Sequence, residues 1–425
     1  MGNPPYVRQE QIKELKPALK EEYECYTGVA DLYVYFFEKG YRLLRSGGVL
    51  TYISSNKYFR SGYGEKLREY LGERATVRYL IDFGDASVFE AIAYPSIIQV
   101  SKAKSEDCQT RILNWDKEQP LSEFANVFKT QSFYIAQQQL TSDGWRLESP
   151  EVLRLLDKLR NAGTPLGKYV NGRFYYGIKT GLNEAFVVDR ATRDRLIAEH
   201  SSSAEVLKPF LRGRDVKRWS VNFAEQYLIK IESSENKQHL WSNKSDKEAE
   251  KIFAKTYPAI YARFELFRER LVKRCDQGKY FWELRSCAYW DEFETPKIIL
   301  GRFMNVATFA FDKNNFLHND ALYTVSRINE YVAAILNSSI GWWFLSHICT
   351  DLQNGYLQAY RENLFQIPIS KASKKEQNSI SNLVQKCLNA KKQNVEEWEA
   401  EINDKVAYLY GLTAQEIKII NFDLN

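Results

Sequence analysis

Paired cysteines, clustered histidines, long apolar runs and a strong charge of either sign are all missing from this 425-residue chain. The six cysteines (Cys25, Cys108, Cys275, Cys287, Cys349 and Cys387) are scattered without a CxxC pair. They read as the reduced thiols of a cytoplasmic protein and exclude both a zinc site and a disulfide frame. The four histidines are equally dispersed, so no metal site is expected. No apolar run reaches the ~20 residues that span a bilayer. The nearest, Tyr331 to Cys349, is broken by Asn337, Ser338 and Ser339 and is read as one buried helix. No basic stretch followed by an apolar one opens the chain, so no signal peptide is expected. There is no internal repeat. The acidic run Asp291-Glu292-Phe293-Glu294-Thr295-Pro296-Lys297 lacks the P-D…E-x-K order of a nuclease. A formal net charge of +5 permits nucleic-acid binding without arguing for it.

What is present is long enough for two or three domains with real cores. Asp31 stands where it can cap a helix running to about Arg45, with Leu32, Tyr35, Phe36, Leu43 and Leu44 on one side. Ser46-Gly47-Gly48 ends that helix, Val49 to Ser54 reads as a buried strand, and Glu65 to Leu71 as a short helix. Val77 to Phe83 and Ser96 to Ser101 are strand-like. This is the rhythm of an α/β, doubly wound sheet, of which about half is present. Polar, Gln-rich residues from about 105 to 145 read as a connecting arm. Ser149-Pro150 opens a helix, short β-type runs dominate from Lys168 to Val325 around a helical insert at Lys247 to Lys273, and a charged helical tail closes the sequence.

The most chemically specific stretch is Asn3-Pro4-Pro5-Tyr6. The Asn3 side-chain oxygen and the Pro4 carbonyl can both accept hydrogen bonds from one exocyclic amine. Two prolines restrict the backbone that aims them. The Tyr6 ring offers a face to a planar base. Together they suit the N6 amine of an adenine flipped out of duplex DNA. The bland alternative is an N-terminal turn.

Asn3-Pro4-Pro5-Tyr6 is followed by Asp31-Leu32-Tyr33, by Ser46-Gly47-Gly48-Val49-Leu50 and by Asp85-Ala86-Ser87-Val88-Phe89. Farther on come Gly177-Ile178-Lys179-Thr180-Gly181-Leu182-Asn183, Leu207-Lys208-Pro209-Phe210-Leu211-Arg212-Gly213-Arg214-Asp215, Trp282-Glu283-Leu284-Arg285, Leu336-Asn337-Ser338 and Tyr408-Leu409-Tyr410-Gly411-Leu412. In this order the chain resembles the C-terminal part of a TaqI/Eco57I-type DNA adenine-N6 methyltransferase of type II restriction-modification systems, with a TaqI-like specificity domain.

The resemblance implies a Rossmann-like methyltransferase domain, partial here, over residues 1–110, a connecting arm over 111–148, an α+β target-recognition domain over 149–370 and a helical tail over 371–425. It implies catalysis by Asn3, Pro4, Pro5 and Tyr6, stacking of the base between Tyr6 and Phe89, and Asp31 near the cofactor, S-adenosylmethionine. It implies double-stranded DNA as partner, contacted by Lys179, Thr180, Arg212, Arg214, Lys217 and Arg218, cationic or polar side chains on loops beside aromatics. The bland readings are a core Phe89, a helix-capping Asp31 and solvated turns. The family's glycine-bearing cofactor loop finds no match, so the cofactor pocket is expected to be incomplete. An upstream segment or separate chain would carry the cofactor-binding half, and this chain alone would be inactive. A sequence-specific DNA-binding module without catalysis is the rival reading.

Overall fold

The computed structural model describes residues 1–424 except 85, 90–93, 104–107, 143, 146, 352–355 and 391–394. The chain divides into two units, Met1–Leu155 and Leu156–Asn425.

The first unit is built on five strands: β1 (Val49–Ser55), β2 (Thr76–Asp82), β3 (Pro95–Ser101), β4 (Gln109–Asn114) and β5 (Phe133–Ala136), in the order β1-β3-β2-β4-β5. The expected α/β character holds. The sheet itself is mixed: β3 runs antiparallel to β1 and β2, and β2 runs parallel to β4. The link from β2 to β3 forms no helical crossover among its described residues, and parallel neighbours need such a crossover. Helix α1 (Tyr33–Leu43) buries Tyr33, Val34, Tyr35, Phe37 and Tyr41, and Leu32 and Leu44 pack on the same core, as the sequence suggested for Leu32, Tyr35 and Leu44, while Phe36 and Leu43 lie exposed. The chain then reverses into β1 through Gly47 (φ +69°) and Gly48, where a Cβ would sit 2.8 Å from the Arg45 carbonyl oxygen. Helix α2 (Glu65–Arg74) follows β1.

The connecting arm is a correction. Residues 109–136 supply two of the five strands, with buried Thr110, Ile112, Leu113 and Ile135. Gln137 explains why composition misled. It is buried, its amide donates to the Ala75 carbonyl (2.7 Å), and its oxygen accepts from the Val77 N–H (2.9 Å). A glutamine that completes a backbone ladder looks like a linker residue in sequence and behaves as a core one.

The second unit adds β6 (Phe174–Tyr176), β7 (Val187–Asp189), β8 (Leu207–Leu211), β9 (Gln226–Ile229), β10 (Lys297–Gly301), β11 (Phe309–Asp312), β12 (Leu317–His318) and β13 (Leu322–Ser326). They form two four-stranded sheets, β12-β8-β9-β7 and β11-β10-β13-β6. Trp241, Phe253 and Trp282 centre the first sheet's core, with the Phe253 and Trp282 rings stacked at 4.9 Å. Lys297 of β10 and Asp312 of β11 form a fully buried ion pair at 2.6 Å. Burial pulls the Lys297 ammonium below its ordinary pKa against the opposing pull of Asp312.

The single helix expected over Tyr331 to Ile348 is two, α3 (Glu330–Asn337) and α4 (Ser339–Ile348). Ser338 is extended between them, and its hydroxyl accepts the Gly341 N–H at 3.0 Å. A Cβ on Gly341 would sit 2.1 Å from the Ile335 carbonyl oxygen, so only glycine lets the second helix fold back this closely. Trp343 is buried. In the tail, α5 (Lys374–Asn389) starts from a Ser373/Glu376 capping box and buries Ile380, Leu383, Val384 and Cys387, so one face is core and only the other is solvated. The Lys391-Lys392 pair lies outside the described residues.

His318 is structural. Its Nδ1 donates to the Asn319 carbonyl (3.1 Å) and its Nε2 accepts from the Thr324 hydroxyl (2.5 Å). Burial pushes its pKa down to about 4, against ~6.5 in an unfolded chain. The lowered value favours the neutral ring in the fold, so the stabilisation is complete above pH ~6.5 and is lost as pH falls toward 4. His318→Gln is expected to flatten the decline of the urea midpoint between pH 6.5 and 4. An unchanged decline would locate the acid sensitivity elsewhere.

Candidate functional site

Strand β1 organises the first unit's rim. The Gly2 N–H donates to the Thr51 carbonyl (3.0 Å) and the Gly2 carbonyl accepts from the Ile53 N–H (3.1 Å), a parallel bridge opposite Tyr52. A Cβ on Gly2 would lie 2.8 Å from a Tyr52 ring carbon, so glycine permits the close approach. Running parallel to β1 from that bridge, Asn3-Pro4-Pro5-Tyr6 comes out at the carboxyl end of the strand. Open α/β sheets bind ligands at that edge.

Asn3 is exposed and Pro4 is buried. Among the described residues neither the Asn3 side chain nor the Pro4 carbonyl has a hydrogen-bond partner, whereas the Pro5 carbonyl is taken by the Val7 N–H at 3.0 Å. The two acceptors singled out in the sequence are thus the two the fold leaves unspent. Beyond them the strand-like segment docks on the start of α1, with the Leu32 N–H donating to the Val7 carbonyl (3.0 Å). Asp31 accepts the Gln9 N–H at 3.0 Å. Its carboxylate therefore anchors the segment after Tyr6, and no side chain caps α1.

Phe89, distant in sequence, is brought to Tyr6. The ring centroids stand 6.3 Å apart at an interplanar angle of 64°, with Tyr6 38% exposed and Phe89 half-buried. Burial raises the Tyr6 pKa, so the phenol is neutral at physiological pH and serves as a ring, not a base. Asp85 of the same motif lies outside the described residues. Sequence reading missed Asn56 and Asp82, which end β1 and β2 at this rim and are joined by an Asn56 Nδ2 to Asp82 Oδ1 bond of 2.8 Å. Both looked like ordinary strand-end polar residues, and only the strand order shows that they meet.

S-adenosylmethionine, the cofactor the family resemblance implies, sets a requirement on the backbone. Its binding loop needs backbone N–H groups freed by glycine between a strand and a helix. Gly64, which opens α2, does not supply them: a Cβ there would lie 2.4 Å from the Tyr58 carbonyl oxygen, and its N–H is taken by the Ser61 carbonyl (3.1 Å). Arg68 fills that space, donating to the Tyr58 (2.6 Å), Ser61 (2.9 Å) and Ser142 (2.8 Å) carbonyls. The turn at Gly64 is therefore closed by protein groups and does not fit the donor's cradle.

In the second unit, Lys179 is exposed and pairs with Asp276 at 3.0 Å. Thr180 is a correction: it is buried, its hydroxyl donates to Asn183 Oδ1 (2.7 Å) and accepts the Leu182 N–H (3.2 Å), so it builds the turn and faces no surface. Arg274 donates to its carbonyl. Arg218 is half-buried, paired to Glu399 at 2.6 Å and laid over Trp219. Arg212 sits half-buried beside Asp215 (3.8 Å). Lys217 is half-buried in a cleft of mixed lining, with Asn222, Lys313 and Gln385 beside Val221, Phe311 and Leu388. Arg214 is exposed and has no partner among the described residues.

Residues 1–89 match the family model described as Eco57I restriction-modification methylase, and residues 208–369 match the TaqI-like C-terminal specificity domain. The chain is 24% identical to Type II methyltransferase M.BstVI of Geobacillus stearothermophilus, with 99% of this chain and 74% of that protein aligned. It is 25% identical to Type II methyltransferase M.HincII of Haemophilus influenzae, over 92% of this chain and 78% of that one. With Type II methyltransferase M.PaeR7I of Pseudomonas aeruginosa it shares 28% identity over 46% of this chain and 36% of that protein. The solved structure of the type IIL restriction-modification enzyme MmeI in complex with DNA has the same fold, with a TM-score of 0.56 at 13% identity. That match covers 99% of this chain and 55% of the MmeI chain, so the chain spans about half of that structure's length.

Gly2→Ala is expected to push Tyr52 aside and loosen the bridge. Amide exchange at Ile53, whose N–H bonds the Gly2 carbonyl, should then quicken by about tenfold or more. Unchanged protection at Ile53 would contradict this register.

Proposed function

We propose that this chain, which joins an Eco57I-type restriction-modification methylase segment to a TaqI-like specificity domain, is the catalytic-loop and target-recognition portion of a site-specific DNA adenine-N6 methyltransferase of a type II system. The observation that carries the reading is the unspent acceptor pair, Asn3 Oδ1 and the Pro4 carbonyl, beside the Tyr6–Phe89 rings at the carboxyl rim of the sheet.

The N6 amine of adenine is a poor nucleophile because its lone pair is delocalised into the ring. Two acceptors that take its two protons favour a more tetrahedral nitrogen and hold its lone pair in one direction. This is electrostatic positioning and proximity, with no covalent enzyme intermediate. The base must leave the duplex stack to reach the site, and Tyr6 and Phe89 replace part of the stacking it loses. The methyl donor is S-adenosylmethionine. On this reading donor binding is the work of a cofactor-binding half, in an upstream segment or a separate chain; the closed turn at Gly64 supports it. Methylation by these residues alone is not expected.

The second unit supplies recognition of double-stranded DNA. Of the cations singled out in the sequence, Arg214 and Lys179 are exposed, and Arg212 and Lys217 lie half-buried near Arg214 in sequence. Phosphate contacts set affinity and base-edge contacts set the recognised sequence. The closed turn at Gly64 also favours a second reading, a DNA-specificity module that binds without methylating.

The test is nucleoside mass spectrometry on DNA from a methylation-deficient host that expresses the chain together with the cofactor-binding half. N6-methyladenine is expected, and Asn3→Ala should lower it by about 100-fold or more while duplex binding persists. N4-methylcytosine in its place would overturn the adenine assignment. Duplex binding with no methylated base would favour the second reading. Arg214→Ala is expected to weaken duplex binding and to reduce the slope of log affinity against log salt by about 1. An unchanged slope would remove Arg214 from the contact surface.

A further inference from the structure

We infer that Asn56 is a positioning residue that fixes the Phe89 wall of the base site, an assignment that rests on the function proposed above. Phe89 lies on the link between β2 and β3, and both ends of that link are tied to Asn56. At one end, the Asn56 side-chain amide donates to Asp82 Oδ1 (2.8 Å), and the same oxygen accepts the Gly84 N–H (2.9 Å). At the other, the Asn56 backbone N–H donates to the Tyr94 carbonyl (2.7 Å). A third bond closes the neck of the link, from the Phe83 N–H to the Pro95 carbonyl (3.0 Å).

The strand order gives this contact its meaning. β1 and β2 are not neighbours, because β3 lies between them. Ser55 and Asp82 are therefore separated by two inter-strand spacings, ~10 Å, which one backbone bond cannot cross. Asn56 and Asp82 cross it with two side chains over the start of β3. That start is Pro95, which has no N–H of its own to hold the link. Gly84 adopts φ +54°, so the turn leaving Asp82 is one in which the carboxylate accepts the N–H two residues on. From there the Ala86 N–H bonds the Phe83 carbonyl (2.9 Å) and the Val88 N–H bonds the Ala86 carbonyl (2.8 Å), leading directly to Phe89. Asn56 follows β1, the strand that also registers Gly2 and therefore Tyr6. One strand thus places both rings, Tyr6 through its paired edge and Phe89 through the residue at its end.

The bond has a direction that can be reversed. One Asp82 oxygen takes both bonds in the native pair. With Asn56→Asp and Asp82→Asn, the amide oxygen at position 82 keeps the Gly84 N–H, and the new carboxylate at position 56 turns to the other terminal atom, the NH2, to accept from it. In the full chain, Asn56→Ala is expected to speed amide exchange at Ala86 and Val88 by about tenfold or more, and the swapped pair to restore it. In the host assay, Asn56→Ala should lower the N6-methyladenine yield at unchanged duplex affinity, and the swap should recover it. A purely structural role would lower binding and methylation together, and the swap would not split them. Unchanged exchange at Ala86 and Val88 in Asn56→Ala overturns the inference. So does a swapped pair that unfolds at the wild-type midpoint without restoring protection. If the swap does not fold, Asn56→Ser decides by the same exchange reading, since it keeps the backbone bond and removes the side-chain one. If no adenine is methylated even by the wild type, the functional reading fails, and the exchange data still decide the anchoring.

Discussion

Every candidate catalytic group in the first unit depends on the pairing of β1 on both edges. One edge takes the whole length of β3, with seven residues in register from Val49↔Ser101 to Ser55↔Pro95. The other takes Gly2 alone, through two backbone bonds around Tyr52. A parallel bridge fixes where the following residues emerge, and a slip of one residue would turn Asn3 to the opposite face. Gly2 and Gly40 both press on Tyr52, and any side chain at either would meet its ring or hydroxyl within 3 Å. The position of a flexible-looking segment is thus set by the packing of one tyrosine.

The second unit shows the same economy in a different form. Its Lys179–Gly181 turn rests on charges that water does not reach. Arg274 is buried over the Phe186 ring and donates to the carbonyls of Thr180, Phe281 and Glu283. Burial lowers its pKa to about 10, which leaves it charged at neutral pH. Glu283, also buried, accepts from the Trp241 indole (2.9 Å), the Ser234 hydroxyl (2.5 Å) and the Ser234 N–H (3.0 Å). Buried charges are tolerated only where such bonds satisfy them, and their geometry is correspondingly unique. Here they hold a turn whose Lys179 is exposed and paired with Asp276.

Legibility in the sequence followed the range of the forces involved. Local patterns located β1 to within a residue, placed a helical insert over Lys247 to Lys273, which the structure divides into three helices, Asp246–Thr256, Pro258–Glu265 and Arg268–Lys273, and put a glycine turn ahead of β1. The four-residue motif singled out the acceptors that the fold leaves free. What could not be read were the long-range uses of polar residues. Gln137 joins a sheet 60 residues away, Arg218 is claimed by Glu399, and Asn56 reaches Asp82 across an intervening strand. Polar side chains in sequence carry no mark that distinguishes a solvated role from a buried bond. Gly341 misled for the converse reason: its lack of a side chain serves a close backbone contact with Ile335 that periodicity does not show.

The central claim is that the rim between Tyr6 and Phe89 receives an adenine extruded from DNA. The most direct measurement is photocrosslinking of the chain to duplex DNA in which 8-azidoadenine replaces adenine, followed by peptide mapping. The account expects labelled peptides containing Tyr6 or Phe89, in addition to any from the specificity domain, and loss of those two labels on competition with unmodified duplex. Labelling confined to residues 208–369 would contradict it.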